Sequence, residues 1–295
     1  MIIRKILKMK IIFYILTIFP LKIAFMMWDS LFKALPLSIL RFLPPFRVTH
    51  KNLSIAFPDL TDHELDLIAK ESYKETLKSV YETLYTWSRS SKKIIYHTKK
   101  IHNRFLFNIP EPKDGLIIFA LHNRSIDFML RWISSQRSHT SLYKKIKFKP
   151  INKFVKKFRE EGNCKMVETG IGGVKSILNS LENNHMTCMA SDQVPARGLG
   201  VYAKFFEHDC YSFSLAPNLA RKSKKQILLT YLSYERNIGH VINFEKPSEE
   251  IYSESGVQVM NNQMESVIRK SPSEYSWEYK KFRRLPSPLK DIYKD

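Results

Sequence analysis

Two side chains able to do acid–base chemistry, His122 and Asp127, stand five positions apart at the end of an apolar run. The run, 116–121, has the length of a buried strand, and an amphipathic pattern beginning at Asp127 predicts a helix. A turn between them can bring the carboxylate to one imidazole nitrogen. The other nitrogen is then free to take a proton from an alcohol or amine, the general-base chemistry of acyl transfer. Spacing alone favours a simpler interpretation, in which Asp127 caps the helix and His122 is a structural histidine.

Strand-like and helix-like hydrophobic runs alternate from Gly115 onward. Strands are predicted at 116–121, 164–169, 186–191, 201–206, 226–234 and 240–244, and helices at 127–136, 151–161, 173–182, 215–223 and 257–269. This alternation is typical of an α/β fold with a mixed sheet flanked by helices. The sheet would then hold His122 at the end of one of its strands.

The chain upstream of Gly115 has a different pattern. Thr61 to Glu64 forms a capping box, and apolar residues follow it at near-helical spacing up to Tyr85, which predicts a long packing helix. Two prolines at 108–114 mark the only plausible boundary. We therefore divide the chain into a membrane anchor or interfacial helix at 1–28, a helical extension at 29–110 and a catalytic domain at 111–295.

The N-terminal segment combines cations with an apolar stretch. Met1–Lys10 carries four Lys or Arg residues, and 11–28 is apolar apart from Thr17 and Lys22, with Pro20 at its centre. This stretch is short for a span, and no small-residue cleavage site follows it, so we expect neither a simple crossing nor a cleaved signal peptide. An in-plane or re-entrant anchor at a membrane surface fits better.

The composition indicates a folded, strongly basic protein. Its 295 residues are 44% hydrophobic and 13% aromatic, which excludes a disordered chain, and 48 Lys and Arg against 28 Asp and Glu give a net charge of +20. Such a charge implies anionic partners: nucleic acid, anionic lipid, a phosphorylated substrate or an acidic protein. The three cysteines lack metal-binding or disulfide-like spacing and suggest a reduced, cytoplasmic setting.

The densest basic segment runs from Lys144 to Arg159, with eight Lys or Arg residues and no acid. Solvated helix faces usually mix signs, so this run favours a counter-charged ligand. For individual lysines, including Lys153, Lys156 and Lys157, a surface near a membrane explains the pattern almost equally well.

The arrangement of His122 and Asp127 at a strand end resembles the glycerolipid acyltransferase superfamily, and four further segments resemble the lipid A late acyltransferases within it. In chain order they are the basic segment ending at Arg159 before Gly162, Ser191-Asp192-Gln193 with the phenylalanine pair of 203–206, the Leu-Ala-Arg stretch of 216–221, and the Trp-containing block of 271–283.

The resemblance implies transfer of an acyl chain from an acyl carrier protein thioester to a hydroxyl of an anionic, lipid A-type glycolipid precursor. The site would lie at the cytoplasmic face of the bacterial inner membrane. Asp127 would orient His122, His122 would be the general base, and Arg159 would orient the acceptor or stabilise negative charge on the thioester oxygen. This chemistry requires no metal or organic cofactor, and no nucleic acid partner is expected.

The remaining candidate positions are assigned to substrate binding. They are Asn123 and Arg124 in the turn after the histidine, Lys153, Lys156 and Lys157 in the basic segment, and Asp192 and Gln193 after a predicted strand. The acid and amide of the last pair could equally hold a loop.

The sequence departs from the resembling family at two positions, of which the first keeps a carboxylate and the second puts substrate details in doubt. Most such acyltransferases carry Glu where Asp127 stands, and a glycine where Glu207 follows the phenylalanine pair. Two alternatives therefore stay open. One is an acyltransferase with another substrate pair, such as a lysophospholipid acceptor or an aminoacyl donor. The other is a basic membrane-peripheral protein that binds RNA or anionic lipid.

Overall fold

The computed structural model describes residues 2–108, 114–287 and 291–293, with side chains from Leu7 onward. Its helices are α1 (Ile2–Leu16), α2 (Leu21–Ala34), α3 (Leu37–Leu40), α4 (Pro44–Ala56), α5 (Asp62–Ser88), α6 (Ser91–His97), α7 (Arg104–Asn108), α8 (Ile126–Gln136), α9 (Lys149–Arg159), α10 (Ile171–Glu182), α11 (Leu215–Ser223) and α12 (Gly256–Lys270). Its strands are β1 (Thr98–His102), β2 (Leu116–Ala120), β3 (His139–Tyr143), β4 (Cys164–Glu168), β5 (Met186–Ala190), β6 (Gly200–Phe205), β7 (His208–Phe213), β8 (Ile227–Glu235) and β9 (Gly239–Glu245).

A seven-stranded mixed sheet forms the centre of the molecule, in the order β1-β9-β8-β2-β5-β3-β4. Neighbouring strands run parallel except at the β8–β9 hairpin. The predicted α/β class with a mixed sheet flanked by helices is confirmed. The predicted strand at 201–206 exists as β6, but it pairs with β7 in a separate hairpin.

Strand β3, which the sequence analysis did not predict, lies between β5 and β4. Its sequence, His-Thr-Ser-Leu-Tyr, lacks the apolar run or alternation that marks a strand, although most of its side chains are buried. Burial inside a parallel sheet is decided by the neighbouring layers, and the local sequence carries little trace of it.

The central strand β2 is buried on both faces. Ile117 and Phe119 point into a core made with α10, α11 and α12, whereas Leu116 and Ile118 point into a core made with α8 and the N-terminal helices. This alternation follows from the two-residue period of a strand. It explains why 116–120 is an unbroken apolar run.

Strand β2 has parallel neighbours on both sides, β5 and β8. The carboxyl ends of parallel strands meet at one edge of a sheet, where open α/β folds commonly bind ligands. Ala120 pairs with Ala190, so the residues that follow β2 and β5 leave the sheet side by side. This edge therefore carries both His122 and Asp192.

The first two helices pack against the long helix α5, whose predicted capping box between Thr61 and Glu64 is confirmed. No single helix in the described part of the chain is long and apolar enough to cross a membrane. Residues 7–16 and 21–34 together meet the criteria of length and composition, with a bend of 52° between them. The predicted domain boundary at 108–114 falls largely on residues 109–113, which lie outside the described residues, as do the side chains of Arg4 and Lys5.

Candidate active site

His122 follows β2 and is held by a carboxylate from the neighbouring strand end. Its Nδ1 lies 2.7 Å from Oδ1 of Asp192, and its backbone N–H donates to Oδ2 of the same residue at 3.1 Å. Asp192 is 2% exposed, whereas the His122 side chain keeps 27% of its surface accessible. The imidazole is therefore fixed on its protein side and accessible on the other.

The opposite nitrogen of the ring, Nε2, faces the amide of Gln193 at 3.4 Å. When Nδ1–H donates a hydrogen bond to Asp192, Nε2 carries the lone pair and can accept a hydrogen bond from Gln193 or from a substrate hydroxyl. Burial lowers the pKa of His122, but the charge and hydrogen bond of Asp192 outweigh it and leave the pKa above its ordinary value. Arg159 opposes this rise by its own positive charge.

Asp127, which the sequence analysis paired with His122, has a different partner. Arg159 donates from Nε to Oδ1 of Asp127 at 2.6 Å and from Nη2 to Oδ2 at 3.0 Å. The expected contact of Asp127 with His122 was therefore wrong. In α8 the hydroxyl of Ser125 caps the helix, and Asp127 in the first turn points to α9. Asp127 thus fixes the guanidinium of Arg159 in a bidentate pair.

His122, Arg159 and Gln193 line one cavity of about 500 Å³, within the range typical of small-molecule sites, about 300–1,000 Å³. Apolar side chains form much of its wall: Ile126, Leu130, Leu142, Met166, Met189, Leu199 and Phe213. Cations also line it: Lys144, Arg283 and Arg284 beside Arg159. The cavity therefore combines an apolar compartment, an imidazole able to accept a proton, and positive charge.

Comparison with known proteins shows the family of this chain. The family model of the bacterial lipid A biosynthesis acyltransferases matches residues 7–284. The chain therefore belongs to this acyltransferase family. A lipid A biosynthesis acyltransferase of Haemophilus influenzae is 20% identical over 245 residues, which cover 81% of this chain and 78% of the relative. A lipid A biosynthesis lauroyltransferase of Escherichia coli K12 is 16% identical over 254 residues, which cover 84% and 82%. The resemblance inferred from the motifs is confirmed.

In this acyltransferase, Asn123 and Arg124 are structural, contrary to their assignment to substrate binding. Asn123 is 2% exposed and its amide donates to the Leu232 carbonyl at 2.8 Å. Arg124 is 3% exposed and donates to three carboxylates, those of Glu82, Glu75 and Glu274. Neither side chain lines the cavity, because the turn after His122 directs both into the protein. Arg124 takes a positive φ of 58°, an uncommon backbone conformation that lets this tight turn form.

The three lysines assigned to substrate binding lie on α9, outside the cavity lining. Lys153 and Lys157 are exposed, and Lys156 lies 3.9 Å from Glu160. The helix turns Phe154 and Phe158 into the core, and its last residue, Arg159, reaches the cavity. The basic segment thus contains surface lysines on α9 and two cations that line the cavity, Lys144 and Arg159.

The C-terminal block of the acyltransferase holds the site together, a role that the sequence analysis missed. The Ser276 amide donates to the His122 carbonyl at 3.1 Å, and Nζ of the buried Lys281 donates to the Asp192 carbonyl at 2.7 Å. Tyr279 accepts from the backbone N–H of Val194 at 3.0 Å. The 271–283 motif indicated this block in the sequence. Only the fold shows that the block is hydrogen-bonded to the segments that follow β2 and β5.

The remaining polar and reactive groups near the cavity are less prominent. Burial raises the pKa of Cys188, which lines the cavity, to about 12, so its thiol stays protonated. Among residues 2–108, 114–287 and 291–293, no group of three or more His, Cys, Asp or Glu side chains is arranged to hold a metal ion.

Proposed function

We propose that this protein transfers an acyl chain from an acyl carrier protein thioester to a hydroxyl of a lipid A-type glycolipid precursor. The observation that carries the proposal is the pairing of Asp192 with His122, which lines a cavity that is both apolar and cationic. Membership of the lipid A acyltransferase family supports the acceptor class.

His122 acts as the general base through Nε2. It removes the proton of the acceptor hydroxyl while that oxygen attacks the thioester carbonyl carbon. The resulting tetrahedral intermediate collapses with cleavage of the carbon–sulfur bond, and the protonated imidazole returns the proton to the leaving thiolate. Asp192 holds the tautomer that leaves Nε2 free and stabilises the imidazolium that forms.

Arg159 stabilises the negative charge that develops on the thioester oxygen. A guanidinium has five N–H donors, and Asp127 uses one on Nε and one on Nη2, so donors remain for the oxyanion. The bidentate pair with Asp127 fixes the plane of the guanidinium before substrate binds, which is the preorganisation that electrostatic catalysis requires. Asp127 is therefore a positioning residue in this mechanism.

The apolar wall of the cavity binds the transferred acyl chain. Side chains such as Leu130, Leu142 and Phe213 line it beside the reactive groups. Burial of a methylene group contributes about 0.8 kcal/mol, so a long chain would bind mainly through this wall. The cationic side chains at the same cavity attract the anionic ends of the substrates.

The enzyme acts at the cytoplasmic face of the bacterial inner membrane. Helices α1 and α2 expose many large apolar side chains: Leu7, Ile11, Ile12, Tyr14, Ile15, Leu16, Ile23, Met26, Met27 and Leu31. An exposed apolar patch of this extent marks a membrane or protein contact. Lys8 and Lys22 are exposed on the same helices and are suited to anionic headgroups.

Mass spectrometry of lipids tests the proposal. Cells with the wild-type gene, without the gene and with His122→Ala would be compared for lipid A and for phospholipids. We expect a mass difference of one acyl group on lipid A, present with the wild type and absent in both other strains. A difference confined to phospholipid would replace the acceptor class, and wild-type lipids in the His122→Ala strain would contradict the mechanism.

A further inference from the structure

Two arginines near the C-terminus, Arg283 and Arg284, line both the catalytic cavity and a second cavity of about 370 Å³. The second cavity is also lined by Arg197, Tyr202, Tyr211, Leu285 and Asp291. Because the two arginines are shared, a ligand that contacts them in the second cavity lies next to the space that contains His122 and Arg159.

The structure holds this arginine pair in place on several sides. Arg284 donates from Nη1 to the Pro195 carbonyl at 2.6 Å, and its own carbonyl accepts from the Tyr211 amide at 3.3 Å. Arg283 donates from Nη2 to the Tyr279 hydroxyl at 2.8 Å. These contacts use one donor of each guanidinium and leave others available to a ligand.

The charge at this position is not balanced within the described residues. Arg159 and Arg124 elsewhere are paired with carboxylates, but no described carboxylate lies within 4.0 Å of Arg197, Arg283 or Arg284. Asp291 is the single acid among the described residues that line the second cavity. Three guanidinium groups facing one carboxylate form a site for an additional anion.

We propose that Arg197, Arg283 and Arg284 form a phosphate-binding site that anchors a phosphorylated substrate while its reactive group lies at His122. A planar guanidinium matches the oxygens of a phosphate with two parallel hydrogen bonds, which an ammonium group cannot reproduce. Tyr202 and Tyr211 also line the second cavity. This inference rests on the acyl transfer proposed above.

Two substrates of that reaction could supply the phosphate. One is a phosphate on the sugar of the glycolipid acceptor, and the other is the phosphate of the phosphopantetheine arm that carries the acyl thioester. Both present the same chemistry to the arginines.

Steady-state kinetics with matched substrates separates these sources. Arg283→Gln and Arg284→Gln would each be assayed with the phosphorylated acceptor and with the same acceptor after phosphatase treatment. Acyl-phosphopantetheine and acyl-pantetheine would be compared as donors. We expect KM to rise about tenfold for whichever substrate bears the recognised phosphate, with little change for its dephosphorylated form, because charge-assisted hydrogen bonds are lost.

The control is Arg236→Gln, which removes an exposed arginine in the β8–β9 turn, outside the lining of both cavities. Equal KM changes for substrates with and without phosphate, or the same changes in Arg236→Gln, would overturn the phosphate site.

A binding measurement keeps this test independent of acyl transfer. Inorganic pyrophosphate should bind the wild-type protein in a calorimeter and bind Arg283→Gln and Arg284→Gln about tenfold more weakly. Unchanged pyrophosphate binding would also overturn the proposal.

Discussion

At the scale of single residues, the site contains two carboxylates with separate partners. Asp192 is hydrogen-bonded to His122, and Asp127 is hydrogen-bonded to Arg159. The charge of Asp192 raises the pKa of His122, whereas Arg159 lowers it. In the proposed mechanism, Asp192 keeps the imidazole basic while Arg159 supplies positive charge for the oxyanion.

The pH dependence of activity follows from this arrangement. His122 must be neutral to act as a base, so kcat/KM should rise as pH passes through its raised pKa. Asp192→Asn removes the main cause of the rise, so the acid limb of the pH profile should move to lower pH. The maximum rate should fall roughly 10²–10⁴-fold because the ring loses its orientation.

Asp127→Asn is the matched control, because it removes the other carboxylate and leaves the contact between His122 and Asp192 in place. Its rate should fall through loss of the fixed Arg159, without the downward move of the acid limb. A downward move in Asp127→Asn and none in Asp192→Asn would mean that the histidine uses Asp127 in solution.

The stability of the catalytic turn depends on Arg124. Its guanidinium is buried against Glu82, a fully buried carboxylate whose pKa is lowered to about 2 because Arg124 and His240 outweigh the effect of burial. Arg124→Gln would leave Glu82 without its main counter-charge. We expect the free energy of unfolding to fall by about 3–5 kcal/mol, measured by urea denaturation.

Arg236→Gln removes an exposed arginine and should change the free energy of unfolding by less than about 0.5 kcal/mol. A comparably small effect for Arg124→Gln would show that the buried ion network does not support this turn.

At the scale of elements, helix α9 has a buried face, a solvent-exposed basic face and a last residue that lines the cavity. Phe154 and Phe158 pack inward, Lys153 and Lys157 face solvent, and Arg159 ends the helix at the cavity. The exposed lysines can act on a substrate only through screened attraction, whereas Arg159 lines the cavity and can contact a bound substrate directly.

We expect the double variant Lys153→Gln/Lys157→Gln to raise the KM of an anionic substrate several-fold with kcat nearly unchanged, and added salt to reproduce the effect. Arg159→Lys should instead lower kcat, because an ammonium lacks the guanidinium fork. The control Lys92→Gln/Lys100→Gln removes two exposed lysines outside the cavity lining. If all three variants behave alike, α9 contributes only to the general positive charge.

At the scale of the whole molecule, the N-terminal helices α1 and α2 have two roles. One face of each packs into the core of the domain, and the other exposes an apolar surface. Phe13 packs edge-on against Phe154 of α9, with ring centroids 5.3 Å apart, and Leu21 and Phe25 are buried in the core that also contains Phe128. The sequence analysis separated 1–28, as an anchor, from the catalytic domain, and a separate anchor could be removed without loss of turnover. These contacts lead us to expect the opposite, because removal would uncover the core behind α8 and α9.

Substitutions on opposite faces of α1 separate the two roles. Ile12→Asp and Ile15→Asp lie on the exposed face and should reduce recovery with anionic vesicles while leaving the melting temperature nearly unchanged. Phe13→Ala, at a position 9% exposed, should destabilise the fold by about 3–5 kcal/mol. Vesicle co-sedimentation and thermal unfolding in detergent measure the two effects.

Undiminished vesicle binding in both aspartate variants would show that the membrane contact lies elsewhere. A melting temperature for Phe13→Ala equal to that of the wild type would show that α1 is not docked in solution.

The sequence by itself determined the elements that carry the chemistry and the family to which they belong. The apolar run before His122 could only be a buried strand or helix segment, and the turn to an amphipathic pattern at Asp127 fixed its end. The motifs around Arg159, Asp192 and Gln193 then indicated an acyltransferase. These features are local, and local periodicity is what a sequence records most directly.

Only the tertiary structure decided which side chains meet. Asp192 lies 70 positions after His122, and the two are neighbours because β2 and β5 are adjacent and parallel. Asp127 was nearer in the chain, but the helix that it begins turns its carboxylate towards Arg159. Strand order in a sheet depends on how the layers pack over the whole domain, so the spacing of residues along the chain does not contain it.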